Sequence, residues 1–182
     1  MIFFFDLILT FFLLILFLPL GILIALLILI FDGLPIFHNS KRIGKNFKLF
    51  NIYKFRTMEI NKGKDKITFL GKILRRTSLD EIPQFFNVLK GDMSLVGPRP
   101  FPEGTLNKLS KKKRVIRCSV RPGLTGYSQV NYKGKKRSLN QKVAQDIVYI
   151  NNRDIWLYFR ILFFTPMTLL RRFFLNKSGK SL

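Results

Sequence analysis

Apolar and polar positions divide the chain into three stretches. From Ile2 to Phe31 nearly every side chain is apolar, and Asp6 carries the one charge. The run exceeds the roughly 20 residues that a helix needs to cross a hydrocarbon core. A cleaved leader matches poorly, because no basic segment precedes the run and the run is too long. Pro19 and Gly21 lie in its middle. Pro19 has no donor for the Ile15 carbonyl and its ring crowds that turn, so the spacing predicts a kink. A kinked helix can dip into the bilayer and return to the same side, whereas a straight one spans it. Proline is tolerated in both, so the residue pattern leaves both open. For a spanning helix, Lys41, Arg42, Lys45 and Lys48 put the following side in the cytoplasm.

The middle stretch reads as short α/β pieces. Phe47–Phe55 alternates as a strand does, Thr57–Lys66 is a polar loop, and Leu70–Arg76 is a short basic helix. Ser78-Leu79-Asp80-Glu81 has the form of a capping box, with Ser78 as N-cap and Glu81 reaching back. The helix it opens continues through Phe85, Phe86 and Leu89 to Gly91, a natural C′ residue. Pro83 falls near its first turn, where a missing donor costs least. Gly97–Pro102 is too rich in proline for a helix or a central strand and forms a stiff extended loop. Arg121–Gly126 is a second loop rich in turn residues, and Leu139–Asn151 returns to helical spacing. In the last stretch, Ile155 to Phe174, aromatics mix with Arg160, Arg171 and Arg172, and Pro166 interrupts the run. Its uncharged part, Ile161–Leu170, is too short to span. An amphipathic helix lying along lipid headgroups fits this mixture, and a buried core helix with basic ends is the alternative. Nothing beyond Asn176 predicts structure.

Composition sharpens this picture. The 182 residues suffice for one domain and an anchor. The net charge of +22 falls almost wholly after Phe31 and calls for an anionic partner: nucleic acid, acidic lipid or a phosphorylated substrate. With one cysteine, Cys118, no intrachain disulfide forms. With one histidine, His38, a zinc site, a Ser-His-Asp triad and a Cys-His pair are poorly supplied. Acids are scarce, which leaves Asp80-Glu81 and Asp92 flanking one short helix. On local grounds a pair of N-terminal carboxylates is explained by the helix dipole alone. Arg75, Arg76, Arg99 and Arg121 alter that reading, since all lie beside turns or helix ends. Two acids among many cations suit a divalent metal held with phosphates, and a carboxylate can itself attack phosphorus.

Four segments together carry a resemblance: Phe50–Met58 (FNIYKFRTM), Thr77–Val88 (TSLDEIPQFFNV), Lys90–Pro100 (KGDMSLVGPRP) and Arg121–Asn131 (RPGLTGYSQVN). In order, they resemble the signatures of the bacterial sugar transferase family, the monotopic polyprenyl-phosphate phosphoglycosyl transferases. The resemblance runs from about Asp6 to Arg172. It implies a small, mostly helical α/β membrane-associated domain with short strands and interfacial amphipathic helices. It also implies a re-entrant membrane helix over residues 1–33, broken at Pro19, then a catalytic domain over 34–176 and a tail over 177–182. The implied reaction moves a sugar 1-phosphate from a UDP-sugar to undecaprenyl phosphate at the cytoplasmic face of the inner membrane, initiating surface glycan assembly. By the same resemblance, Asp80 is the nucleophile that carries the phosphosugar, and Glu81 completes the dyad beside a magnesium ion. Arg56, Arg75, Arg99 and Arg121 are the implied phosphate contacts, and Pro98, Pro100, Gly123 and Gln129 shape the nucleotide and sugar pocket.

The chain departs from the family pattern in places. Leu18 stands where a serine usually precedes the proline, Ser40 replaces a glutamine, and Tyr127-Ser128 replaces Trp-Ala. Tyr158 occupies a position where aspartate is common, and no basic residues precede Asp6. Two rival readings remain: a membrane-tethered protein that binds nucleic acid through its charge, and a catalytically inactive family member. The sugar, the glycan pathway and assembly into a homo-oligomer are left open by the sequence. The family reading expects no nucleic-acid partner.

Overall fold

The computed structural model describes residues 2–59, 66–131 and 137–175. The expected tail at 177–182 and most of the expected polar loop lie outside the described residues. The apolar run forms one helix, α1 (Ile2–Phe31), which continues unbroken through Pro19. Near the other end of the chain, α8 (Ile155–Leu175) likewise continues through Pro166. Neither proline ends its helix: each removes a single donor, and the turns on either side keep the helix continuous, which is compatible with a kink at Pro19.

At about 1.5 Å per residue α1 is about 45 Å long, yet both its ends are fastened to the same domain. Near its start, buried Asp6 accepts hydrogen bonds from Ser94 Oγ (2.7 Å), Leu95 N (2.9 Å) and Tyr158 OH (2.7 Å). Midway, the Phe17 ring lies 6.1 Å from that of Phe85. Near its end, Ile24 and Ile28 are buried with Phe55 and Leu74. Just beyond it, Asp32 Oδ2 accepts from Thr68 Oγ1 at 2.9 Å.

The domain between these helices contains two small sheets. Strands β1 (Phe37–Ile43) and β2 (Leu49–Phe55) form an antiparallel hairpin, with Phe37 opposite Phe55 and Ile43 opposite Leu49. Phe50 and Ile52 turn into the main core, and Phe55 packs from the other face against Ile24, Ile28 and Leu74, so β2 realises the predicted strand. The second sheet pairs β3 (Ser94–Val96) in parallel with β4 (Gly123–Thr125). A strand thus lies within what the sequence shows as a loop. Three residues suffice because glycine lets the backbones meet: a Cβ on Gly123 would collide with Gly97 N.

The predicted capping box is absent. Helix α2 (Phe69–Thr77) runs to Thr77, and Ser78 ends it in the left-handed conformation at φ 60°. The Ser78 N–H is spent on carbonyls of α2, which leaves it unavailable to Glu81. Leu79–Gln84 then forms a 3-10 helix around donorless Pro83, and only Phe85–Leu89 is α-helical (α3). Gly91 does follow with positive φ, as the end of a helix favours. After the proline loop come α4 (Glu103–Leu106), α5 (Lys111–Cys118), α6 (Tyr127–Val130) and α7 (Leu139–Asn151). The reciprocal capping box lies at α7, between Ser138 and Gln141.

The main core gathers Phe50, Ile52, Phe85, Val88, Met93 and Leu95 with Tyr149, Tyr158 and Ile161. Much large apolar surface is left outside it. Helix α1 exposes Phe4, Phe12, Leu16 and Ile30, while α8 exposes Trp156, Phe163 and Phe174. Among the described residues, α1 is the one helix long and apolar enough to cross a membrane. Continuous apolar surface on this scale marks a membrane or partner contact. Because Tyr158 and Ile161 are buried while Trp156 and Phe163 are not, α8 is both a core and a surface helix. The core reading describes one of its faces, and the other is exposed and apolar.

Candidate active site

The left-handed turn at Ser78 redirects the chain so that the 3-10 segment lies across β2, bringing Asp80 and Glu81 to Lys54. Lys54 Nζ donates to Glu81 Oε1 at 2.6 Å and to Asp80 Oδ2 at 3.3 Å. From the first proline loop, Arg99 Nη2 reaches the same Glu81 Oε1 at 2.6 Å. Glu81 is thus gripped by two cations, whereas Asp80 has one longer contact.

Electrostatics separates the two carboxyls. Burial alone would raise Glu81, but Arg99 and Lys54 outweigh it and hold the group down at about 2. At Asp80, burial dominates and pushes the carboxyl above its ordinary value; Lys54 opposes the rise and Glu81 adds to it. One carboxylate is fixed as an anion that orders its cations. The other is the more basic oxygen, and two neighbouring acids with divergent titration commonly have different tasks.

The remaining predicted residues are spread more widely. Arg75 Nε donates to Thr57 Oγ1 at 2.8 Å. The Arg56 guanidinium is buried and donates to the carbonyls of Asp32, Gly33 and Leu34, clamping the turn after α1. Arg121 Nε donates to Gly91 O at 2.8 Å, and its guanidinium stacks on Phe3 at 4.0 Å. Pro98 and Gly123 join the two loops directly, as Gly123 N donates to Pro98 O at 2.9 Å. Pro100 flanks Arg99, and Gln129 Nε2 donates to the Leu124 carbonyl at 3.3 Å.

Sequence reasoning missed three participants. Lys54 bridges the two carboxyls although it is 26 residues from Asp80. Its signal is a lysine on the strand face that Phe50 and Ile52 turn inward. The other two, Arg117 and Asp146, form a buried ion pair at 3.0 Å. Arg117 Nη2 also donates to Arg99 O at 2.7 Å and its guanidinium stacks on Phe101 at 3.7 Å, which seats the proline loop.

Among the described residues no group of three or more His, Cys, Asp or Glu converges. Magnesium commonly takes only one or two carboxylates, completing its shell with water and substrate phosphates. Asp80 and Glu81 are adjacent hard-oxygen donors on one short segment. The donor set fits magnesium arriving with a diphosphate.

Comparison with known proteins places the chain among sugar transferases. The family described as bacterial sugar transferase matches residues 1–172. The UDP-N-acetylgalactosamine-undecaprenyl-phosphate N-acetylgalactosaminephosphotransferase of Aeromonas hydrophila is 38% identical over 87% of this chain and 41% of its own length. The UDP-glucose:undecaprenyl-phosphate glucose-1-phosphate transferase of Klebsiella pneumoniae is 35% identical over 96% of this chain and 40% of its own. An uncharacterised sugar transferase of Bacillus subtilis, EpsL, is 38% identical over 73% of this chain and 69% of its own. The chain spans about two fifths of the length of the first two relatives. With a match over 172 of its 182 residues, the chain belongs to the bacterial sugar transferase family.

Proposed function

We propose that the chain is a phosphoglycosyl transferase that moves a sugar 1-phosphate from a UDP-sugar to undecaprenyl phosphate. The observation that carries this reading is the contrast between Asp80, basic and lightly held, and Glu81, ionised and gripped by Lys54 and Arg99. In the first step an Asp80 carboxylate oxygen attacks the β-phosphorus of the UDP-sugar. The bond from that phosphorus to the bridging oxygen breaks, and UMP leaves with the electron pair. In the second step a phosphate oxygen of undecaprenyl phosphate attacks the same phosphorus, and Asp80 departs as a carboxylate. Lys54 and Arg99 offset charge on the non-bridging oxygens, and Glu81 keeps both in place. Magnesium, when bound by Asp80 and Glu81, neutralises diphosphate charge. Arg75 and Arg121 are further phosphate contacts on this reading.

The acceptor's phosphate sits at a membrane surface, so the carboxylates must be held there. We read α1 as re-entrant. Supporting this, Asp6 near its start and Asp32 just past its end both bond to the one domain. Lys41, Arg42, Lys45 and Lys48 favour the cytoplasmic side. An epitope fused ahead of Met1 should therefore be cleaved by protease only in inverted vesicles, as should one placed in the domain. Opposite accessibility of the two would refute re-entry.

The function is tested by UMP release from a panel of UDP-sugars, with magnesium and undecaprenyl phosphate present, and by mass spectrometry of the trapped enzyme. The expected adduct is a phosphosugar on Asp80, absent from Asp80→Asn. Turnover by Asp80→Asn, or an adduct elsewhere, would overturn the assignment.

A further inference from the structure

A groove of about 490 Å³ lies between α6, α7 and α8, and none of its lining residues belongs to the carboxylate network. Val130 contributes from α6 and Val148 from α7, while α8 supplies Arg160, Phe164, Met167 and Arg171. Those four positions are spaced by four, three and four residues, so they form one stripe along α8. The stripe has an apolar centre and a guanidinium at each end, about 16 Å apart along the axis. Neither arginine has an ion-pair partner among the described residues. Phe164, Met167 and Val148 are exposed, although a groove of this size suits an apolar ligand.

We propose that this groove binds one anionic phospholipid, with an acyl chain along Phe164, Met167 and Val148 and the headgroup phosphate on Arg160 or Arg171. Three observations single out a lipid of that charge. The walls are mostly apolar, with Asn131, Asn152 and Thr168 among them, so the occupant has a long hydrocarbon part. Among the described residues, the charges lining the groove are two unpaired cations, so its polar part is an anion. The same helix exposes Trp156, Phe163 and Phe174, so the groove is continuous with surface that suits a bilayer. A bound lipid would complete a core that α6, α7 and α8 leave open, and would fix α8 at the depth of the headgroups. The acceptor polyprenyl phosphate is a poorer occupant, because its phosphate must reach Asp80 and no lining residue bonds to the carboxylate network.

The test uses the full chain, extracted from vesicles of equal parts phosphatidylcholine and phosphatidylglycerol and examined by native mass spectrometry. Wild type should retain one phosphatidylglycerol and no phosphatidylcholine. Occupancy should fall by about tenfold in whichever of Arg160→Gln and Arg171→Gln removes the phosphate contact. Val148→Trp, at a site already 46% exposed, should fill the groove and expel the lipid with the circular dichroism spectrum unchanged. Lys111→Gln/Lys112→Gln, on the exposed side of α5, should retain it. Equal retention by every variant, equal retention of both lipids, or one-for-one displacement by undecaprenyl phosphate would each overturn the proposal. No sugar nucleotide is involved, so a negative result leaves the transferase reading intact.

Discussion

Tyr158 on α8 donates a 2.7 Å hydrogen bond to Asp6 on α1, and both side chains are almost wholly shielded from solvent. The contact ties together two helices that begin near opposite ends of the sequence. Asp6 also receives Ser94 Oγ and Leu95 N, so its carboxylate satisfies three buried donors. Tyr158→Phe removes one donor and should destabilise the fold by about 1.5–3 kcal/mol, the usual worth of a bond to a charged group. Asp6→Ala strands all three and should cost more. Thermal unfolding in detergent checks the order, and equal melting temperatures for the two variants would contradict it.

Lys54 and Glu81 act on Asp80 with opposite sign, which makes a paired pH experiment decisive. Attack requires the Asp80 carboxylate, so activity falls as acid protonates it, at a pH above that of an ordinary aspartate. Lys54 favours the anion; Lys54→Met should therefore move the acid limb of UMP release to higher pH. Glu81 disfavours it; Glu81→Gln should move that limb to lower pH. Both variants should also lose about 100-fold in kcat, since each disturbs the cations. Limbs that shift in the same direction would show that another group controls the profile.

Arg117 acts on the site through Arg99. Its side chain is held by Asp146 and by Phe101 while it donates to the Arg99 carbonyl. Lysine keeps the charge but not the planar fork, so Arg117→Lys should lower kcat while leaving KM for the UDP-sugar nearly unchanged. Asp146→Ala leaves a buried guanidinium unpaired and should cost about 3–5 kcal/mol of stability. If Arg117→Lys changes melting temperature but not kcat, the contact is structural only.

Gly123→Ala tests the seam between the proline loops. A methyl group there meets the backbone of Gly97, which no side-chain adjustment relieves. The expected result is loss of folded protein, whereas Gly104→Ala, with open space around it, should be silent. Expression and circular dichroism of the two variants give the comparison.

Local patterns made much of this legible. The Leu139–Asn151 helix has the predicted bounds, and the strand ending at Phe55 alternates as its residues require. Failures arose where a local rule lost to a longer-range one. Ser78 has the chemistry of an N-cap, but α2 runs one residue past the predicted Arg76 and uses its N–H first. The segment at Gly123 looks like a turn because glycine and proline dominate it, yet glycine is what permits strand pairing against β3. Lys54 meets the carboxylates by a fold contact: the strand pattern marks its position as inward-facing, but the neighbours in sequence do not say what it meets.

The fastening of α1 near both of its ends has a geometric consequence for the reaction. A domain tethered at one point can rock and rise above the lipid; one tethered at two points, with an apolar helix between them, cannot. On the re-entrant reading, the elevation of Asp80 above the headgroup plane is a dimension built into the chain, set by Asp6 at one anchor and the Arg56-clamped turn at the other. A lipid-borne phosphate needs only to diffuse in two dimensions to arrive at the right height.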